Sequence, residues 1–296
     1  MIPSFALIIG AMKCGTTTLY DYLAQHPQIA IGDEKEPGFF AFEEAWALGL
    51  DWYESKFNYN PERHLYALDA STDYTKHPFC KDVVERLQAS APRRFKLIYM
   101  MRNPLRRIES HAKHTQSTHL EVGRCRSPRE SHSLDAGVSP VSIAISRYAH
   151  QIDIFRSYYD EKQLLLLTLE QMARAPNAVF ETVCKFLGID FMPLDAALKS
   201  NAADSQPSGH SLSRHLYPLW QSLSKSAPAR RIGKSLVPKS LRAEIYRFAK
   251  AAAPPEGRFV LNDREEKEII STLAPDLRRL KETYGIDAKK EWGIDF

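Results

Sequence analysis

Short runs of apolar residues alternate along this chain with longer segments in which apolar residues recur every three or four positions. Three strongly apolar runs and two weaker ones predict strands over 5–9, 95–101, 163–168, 28–31 and 65–69. Runs of this length, ending at glycine or turn residues, are typical of strands buried in a parallel sheet. The segments between them predict helices that pack on the sheet.

Helical spacing is clearest in the second half of the chain. It predicts helices over 141–159, over 172–187 up to Gly188, and over 263–284. Strands that alternate with helices predict an α/β fold with a central, mainly parallel sheet flanked by helices. We expect one domain over residues 1–296, with a helical C-terminal portion from about 210 to 296. The irregular segment from about 115 to 140 is long enough to predict a functional loop, which we interpret as an acceptor or lid segment.

Composition narrows the class of protein. Hydrophobic residues make up 44% and charged residues 26% of the chain, as in ordinary globular domains. The net charge of +4 suits an anionic small ligand but is too small to predict nucleic-acid binding. No apolar window reaches the roughly 18 residues of a membrane helix, and the N-terminus lacks the features of a secretory signal. We therefore expect a cytoplasmic protein without a transmembrane segment.

The 4 cysteines lie far apart and form no CxxC pair. This spacing argues against a zinc site or a disulfide framework, so we expect reduced thiols.

The segment after the first predicted strand has the composition of an anion-binding loop. Gly10 and Gly15 have the spacing of a phosphate-binding loop, but Thr16 stands where a nucleotidase would have its lysine, and the lysine is Lys13. Backbone N–H groups at a helix start, together with three threonines over 16–18, suit one compact phosphate or phosphosulfate group. A magnesium-dependent triphosphate site is disfavoured, because no acidic residue follows the strand that ends at Met101.

A second candidate site follows that strand. Arg102 is expected at the carboxyl end of the strand, where open α/β sheets bind ligands. Pro104 is suited to the first position of a helix, and Ser110 lies two turns along it. Arg102 and Ser110 are therefore candidates for one anion, whereas Arg106 and Arg107 are interpreted as surface charges.

Together these segments resemble the sulfotransferases that use 3′-phosphoadenosine 5′-phosphosulfate (PAPS), most closely the branch that contains heparan sulfate N- and 3-O-sulfotransferases and many bacterial members. The first loop matches the family's K-x-G-T-T motif, and Arg102 and Ser110 match its Arg and Ser eight residues apart. Similarity continues through the acidic residue before Phe39-Phe40, Ser146-Arg-Tyr148, Glu170 and the terminal Trp292. The resemblance implies a P-loop-like three-layer fold and transfer of a sulfuryl group from PAPS, with PAP as the nucleotide product.

The resemblance also implies roles for individual residues. Lys13 would neutralise the phosphate oxygen that leaves the sulfur. The 5′-phosphate would be held by Cys14, Gly15, Thr16, Thr17 and Thr18. Arg102 and Ser110 would bind the 3′-phosphate. Relatives usually place a basic residue near a serine around 201–211, and the candidates for that place here are Ser208, Gly209, His210 and Arg214.

A base must accept the proton of the acceptor hydroxyl or amine. Glu36 is the first candidate because of its place before Phe39-Phe40, Asp69 is the second, and His111 and His114 follow. The rings of Phe39, Phe40 and Tyr74 are candidates for an apolar acceptor wall, although we expect at least one of the two phenylalanines to pack in the core. No metal is required, because lysine and arginine supply the positive charge.

Two other functions stay open at this point. The first is a P-loop small-molecule kinase, which would need the lysine that Thr16 replaces. The second is a non-catalytic PAPS- or PAP-binding module. The acceptor of a sulfotransferase, whether a small molecule, a carbohydrate or a lipid, and the oligomeric state are not specified by these residues.

Overall fold

Five parallel strands form one sheet in the computed structural model, which describes residues 1–117, 138–193 and 259–296 and omits the side chains of 113–117. The strands are β1 (Ser4–Gly10), β2 (Ile29–Ile31), β3 (Tyr66–Asp69), β4 (Arg94–Met101) and β5 (Leu164–Thr168). Their order is β2-β3-β1-β4-β5, and every neighbouring pair is parallel. All five strands coincide with predicted apolar runs, so the predicted α/β fold is confirmed.

Eleven helices accompany the sheet in the described part of the chain. They are α1 (Thr16–Leu23), α2 (Glu43–Trp46), α3 (Gly49–Glu54), α4 (Val83–Ala89), α5 (Pro104–Ser117), α6 (Pro140–Ile145), α7 (Tyr148–Arg156), α8 (Leu169–Arg174), α9 (Pro176–Leu187), α10 (Asp263–Tyr284) and α11 (Ala288–Trp292). A short 3-10 helix, Thr72–Thr75, follows β3. The described residues, 1–117, 138–193 and 259–296, belong to one compact unit. None of the helices among the described residues is long and apolar enough to cross a membrane.

The centre of the sheet is β1, whose seven residues are all buried. Both faces are covered, which explains the uninterrupted apolar run. Phe5 packs against the rings of Tyr53, Phe57 and Phe95, with centroid separations of 5.1, 5.6 and 5.9 Å. The register pairs Leu7 with Asp69 on β3 and with Leu97 on β4. The carboxyl ends of β1, β3, β4 and β5 therefore meet at one edge, where the candidate site lies.

The predicted helix over 141–159 is divided into α6 and α7 at Ser146 and Arg147. The predicted helix over 172–187 becomes α8 and α9, because Pro176 begins the second helix. Gly188 ends α9 in the left-handed conformation (φ 69°), as predicted. The predicted irregular segment is shorter at its start, since α5 extends to Ser117. Residues 118–137 lie outside the described residues.

The long helix α10 is joined to the core through a buried carboxylate. Asn262 begins α10 with a capping box. Asp276 accepts hydrogen bonds from the backbone N–H groups of Ala149 (3.0 Å) and His150 (2.9 Å). These groups belong to the first turn of α7, so Asp276 satisfies donors that a helix start leaves unpaired. Burial raises the pKa of Asp276.

The cysteine expectation needs a correction. Cys14 and Cys184 are free thiols, whereas Cys80 is disulfide-bonded. The expectation of four reduced thiols is therefore wrong for Cys80. Its partner lies outside the described residues, and separation along the chain says nothing about distance in space. The cytoplasmic location stays a prediction.

Candidate active site

The first loop connects β1 to α1, and its two glycines are required by close neighbours. A Cβ added to Gly10 would lie 1.9 Å from the Thr75 hydroxyl oxygen, which donates to the Ile9 carbonyl at 2.9 Å. Gly15 has a φ of +84°, and a Cβ there would lie 2.6 Å from Leu169 Cδ1. Both contacts leave no room for a side chain, so the glycine spacing in the sequence reflects packing as well as loop geometry.

The start of α1 presents unpaired donors at the sheet edge. Gly15 is the N-cap, and its carbonyl accepts from Thr18 N at 3.1 Å. The N–H groups of Thr16 and Thr17 precede that first helical bond, and the first turn of α1 contains no acidic residue. Lys13 also adopts a left-handed conformation, with φ 69°. Backbone donors and a positive helix end therefore converge where the sequence predicted a phosphate.

The second loop connects β4 to α5. Asn103 caps α5, because its Oδ1 accepts from Leu105 N (3.0 Å) and Arg106 N (3.3 Å). Arg102 is half-buried, and its Nη1 donates to the Lys13 carbonyl at 3.4 Å. Ser110 is half-buried on the same helix. The predicted start of α5 at Pro104 is confirmed, and the Arg102 contact brings the two loops together.

Cys14 lies behind the first loop and is fully buried. Its Sγ lies 3.8 Å from the Tyr148 hydroxyl oxygen, and that hydroxyl donates to the Arg102 carbonyl at 2.8 Å. Burial raises the pKa of Cys14 to about 11, against the opposing effect of the Arg107 charge. The Cys14 side chain is thus a neutral packed thiol, and its backbone N–H donates to the Ala11 carbonyl at 3.2 Å. The sequence pointed to Tyr148 only because the segment Ser146-Arg-Tyr148 is similar to the family.

The interpretation of two neighbouring arginines as surface charges is correct for only one of them. Arg106 is exposed and pairs with Glu109 at 2.9 Å. Arg107 is fully buried, and its Nε and Nη2 donate to the hydroxyls of Ser146 and Ser142, each at 2.8 Å. Side chains at consecutive helix positions point in directions about 100° apart, so one arginine can face solvent while the next faces the core. The charge pattern alone did not show which of the two is buried.

Asp69, the second candidate base, is enclosed at the end of β3. Its Oδ2 accepts from the hydroxyls of Tyr53 (2.8 Å) and Tyr74 (2.6 Å). Its Oδ1 accepts from Ser71 N (2.8 Å) and Ser71 Oγ (2.6 Å). Burial raises the pKa of Asp69, and these four donors oppose the shift. Four hydrogen bonds and complete burial are the features of a structural carboxylate.

Glu36, the first candidate base, lies on the adjacent surface. Its Oε1 is 2.7 Å from the Lys35 ammonium, and its Oε2 accepts from the Thr72 hydroxyl at 3.1 Å. The side chain is 38% exposed. The loop is held in place because Ala70 N donates to the Lys35 carbonyl at 3.0 Å. Glu36 is therefore positioned and accessible, whereas Asp69 is positioned and enclosed.

The predicted aromatic acceptor wall is wrong. Phe39 and Phe40 are fully buried, and the ring of Phe39 stacks on Tyr53 at 4.5 Å. Tyr74 is buried with its hydroxyl on Asp69. These rings fill the core beside β1 and β3, because the spacing of aromatic residues does not distinguish a wall from a core.

The remaining candidates divide by location. His111 is buried on α5, with Nδ1 2.9 Å from the Ser142 hydroxyl oxygen. The side chain of His114 is not described, and the four candidates from the later segment lie outside the described residues: Ser208, Gly209, His210 and Arg214. Within the described ranges, no group of three or more His, Cys, Asp or Glu side chains is arranged to hold a metal ion.

Comparison with known proteins identifies a protein family that this chain matches. The family described as "Sulfotransferase domain" matches residues 3–207. Human heparan sulfate glucosamine 3-O-sulfotransferase 6 is 29% identical over 249 residues, which cover 82% of this chain and 68% of that protein. The bifunctional heparan sulfate N-deacetylase/N-sulfotransferase 1 of Caenorhabditis briggsae is 24% identical over 210 residues, or 65% of this chain. Those residues span only 23% of the nematode protein.

A solved structure supports the fold. The sulfotransferase from Alicyclobacillus acidocaldarius superposes with a TM-score of 0.59 at 21% sequence identity. The superposition covers 95% of this chain and 96% of the other. The fold is therefore shared with a protein of low sequence similarity.

Proposed function

The chain belongs to the sulfotransferase family, and we propose that it transfers the sulfuryl group of PAPS to a hydroxyl or amine of a carbohydrate, lipid or other small-molecule acceptor. The observation that carries this proposal is the meeting of two donor-rich loops at one sheet edge, joined by the Arg102–Lys13 hydrogen bond at 3.4 Å. A nucleotide with phosphates at both its 5′ and 3′ positions needs two such loops.

The donor set fits this nucleotide. The first loop offers backbone N–H groups, threonine hydroxyls and the Lys13 ammonium for the 5′-phosphosulfate. The second offers the planar donors of Arg102 and the hydroxyl of Ser110 for the 3′-phosphate. Residues 10–18 of the first loop and residues 102–103 of the second include no acidic residue, so both loops favour anions over cations.

Sulfuryl transfer requires alignment and stabilisation of the leaving oxygen rather than a covalent bond to the protein. The acceptor oxygen or nitrogen forms a bond to sulfur as the bond between sulfur and the 5′-phosphate oxygen breaks. Lys13 stabilises the negative charge that develops on this phosphate oxygen. Glu36 accepts the proton that the acceptor loses, and PAP and the sulfated acceptor leave.

Glu36 is preferred over Asp69 because a base must reach the acceptor. The 38% exposure of Glu36 allows this contact, and its bonds to Lys35 and Thr72 fix the carboxylate. The four hydrogen bonds that Asp69 accepts all come from neighbouring groups of the protein. We assign Asp69 to the support of the loop that holds Glu36.

Carbohydrates are the first acceptor class to examine. The human and nematode relatives are named for action on heparan sulfate, a carbohydrate with both hydroxyl and amine positions. Residues around Glu36 contribute to the choice of acceptor, because its immediate neighbours Lys35 and Thr72 supply a cation and a hydroxyl.

The test measures PAP release from PAPS with amine- and hydroxyl-bearing oligosaccharides, a phenol and a glycolipid as acceptors. Wild-type protein is expected to turn over with at least one acceptor class. Glu36→Gln should lower kcat by about 10² or more, as for loss of a general base. Asp69→Asn, which keeps the shape and lets the two tyrosine hydroxyls accept from the amide, should retain activity within about tenfold. The reverse pattern would make Asp69 the base.

A further inference from the structure

Two residues from distant parts of the chain, Glu170 and Trp292, contact Asn103 next to Arg102 and also contact each other. Glu170 Oε1 accepts from Asn103 N at 3.0 Å, and Glu170 Oε2 accepts from the indole Nε1 of Trp292 at 3.0 Å. Asn103 Nδ2 also donates to the Trp292 carbonyl at 3.3 Å. One carboxylate thus joins the start of α8, the second loop and the C-terminal helix α11.

The rest of α11 is anchored around this junction. Glu291 pairs with Arg174 of α8 at 2.8 Å. The indole ring of Trp292 lies 5.8 Å from the ring of Tyr148. The Tyr148 hydroxyl in turn holds the Arg102 carbonyl at 2.8 Å. The backbone of Arg102 and Asn103 is therefore fixed on one side by Tyr148 and on the other by Glu170.

We propose that Glu170 and Trp292 are positioning residues for recognition of the 3′-phosphate. This inference rests on the proposed function, in which Arg102 and Ser110 bind that group. Glu170 and Trp292 do not touch the nucleotide; they hold the backbone from which Arg102 extends and at which α5 begins. A guanidinium presented from a displaced backbone loses its planar match to a phosphate, so the C-terminal helix sets the selectivity of the second loop.

The experiment compares the dissociation constants of PAP and adenosine 5′-phosphate in Trp292→Phe and Glu170→Gln. Glu170→Gln keeps the side-chain shape and Trp292→Phe keeps an aromatic ring at the position. Each removes the hydrogen bond between the indole Nε1 of Trp292 and Glu170. The ratio of the two constants is expected to fall about tenfold, because PAP binds more weakly while adenosine 5′-phosphate is unchanged within about twofold. The KM for PAPS should rise with kcat nearly constant. Trp52→Phe, on α3 away from both loops, is the matched control and should leave the ratio unchanged.

The outcomes separate this inference from the proposed function. A wild-type protein that binds both nucleotides equally contradicts the proposed function itself. A wild-type preference for PAP that survives in both folded variants, or an equal loss for both nucleotides, overturns the inference. If either variant fails to fold, Arg174→Gln loosens α11 from the surface, where Arg174 is 58% exposed. It should lower the ratio by about twofold to threefold, and an unchanged ratio overturns the inference.

Discussion

The two nucleotide loops meet at the same sheet edge but are held in opposite ways. The first loop takes its backbone conformation mainly from its own residues, since Gly10, Lys13 and Gly15 all have positive φ. Its distant neighbours add close packing at the glycines and the Arg102 hydrogen bond to the Lys13 carbonyl. The second loop is held by side chains from far along the chain. Its contact with Trp292 spans 189 positions. A local motif can encode the first kind of site, whereas the second exists only in the folded protein.

The largest effect is expected in the first loop. Lys13→Ala should lower kcat by about 10²–10³, because it removes the group that stabilises charge on the leaving oxygen. PAP binding should change far less, since the backbone donors remain. Steady-state kinetics and calorimetry on one preparation measure both quantities. Lys267→Ala, at an exposed position on α10, is the control. Wild-type kcat in Lys13→Ala would exclude this role.

The next effect tests whether the first loop is limited by packing as well as by its backbone. Gly15→Ala combines a positive φ with a Cβ 2.6 Å from Leu169, whereas Gly49 has a φ of +81° with open space around it. Gly49→Ala should cost about 1–2 kcal/mol of unfolding free energy. Gly15→Ala should cost about 1–3 kcal/mol more. Urea titrations of both variants give the difference in unfolding free energy. Equal losses of stability would mean that the Leu169 side chain moves aside without an energetic cost.

A smaller and more selective effect is expected in the second loop. Arg102→Ala should weaken PAP binding about tenfold to a hundredfold, the range for loss of a charge-assisted hydrogen-bonding group. Adenosine 5′-phosphate should bind nearly as before. Arg106→Ala removes an exposed arginine from the adjoining helix α5 and serves as the control. Comparable losses for both nucleotides would show that Arg102 shapes the first loop instead of reading the 3′-phosphate.

The smallest effect concerns the thiol behind the first loop. The pKa of Cys14, raised to about 11 by burial, lies above the usual value, so the reactive thiolate is scarce at neutral pH. Alkylation of Cys14 by iodoacetamide should be slow at pH 7–9 and should accelerate as the pH rises toward 11. Mass spectrometry of the Cys14 peptide measures the rate. Rapid labelling at pH 7 would indicate an exposed, activated thiol.

The difference between the two loops also explains which features of the protein could be predicted from its sequence. The strands, the first loop and the start of α5 depend on residues close in sequence, and each was predicted from its pattern. Arg107 was not, because its burial depends on Ser142 and Ser146 across α6. The enclosure of Asp69 depends on Tyr53 and Tyr74, which periodicity places in the core without a partner.

Two further errors have the same origin. Cys80 was expected to be reduced because its spacing matches no motif, and a disulfide depends on distance in space. The rings of Phe39 and Phe40 were candidates for an acceptor wall, with core packing expected for at least one of them. The complete burial of both became evident only with the packing of α3. Elements encoded by short motifs were predictable, and contacts assembled by tertiary packing were not.

Calorimetric binding of PAP to the wild-type protein, with adenosine 5′-phosphate and ATP–Mg²⁺ measured beside it, tests the central claim most directly. If the two loops read the two ends of one nucleotide, PAP should bind at least tenfold more tightly than either competitor. A preference for ATP–Mg²⁺, or equal binding of PAP and adenosine 5′-phosphate, would contradict the claim that Lys13 and Arg102 serve a single PAPS molecule.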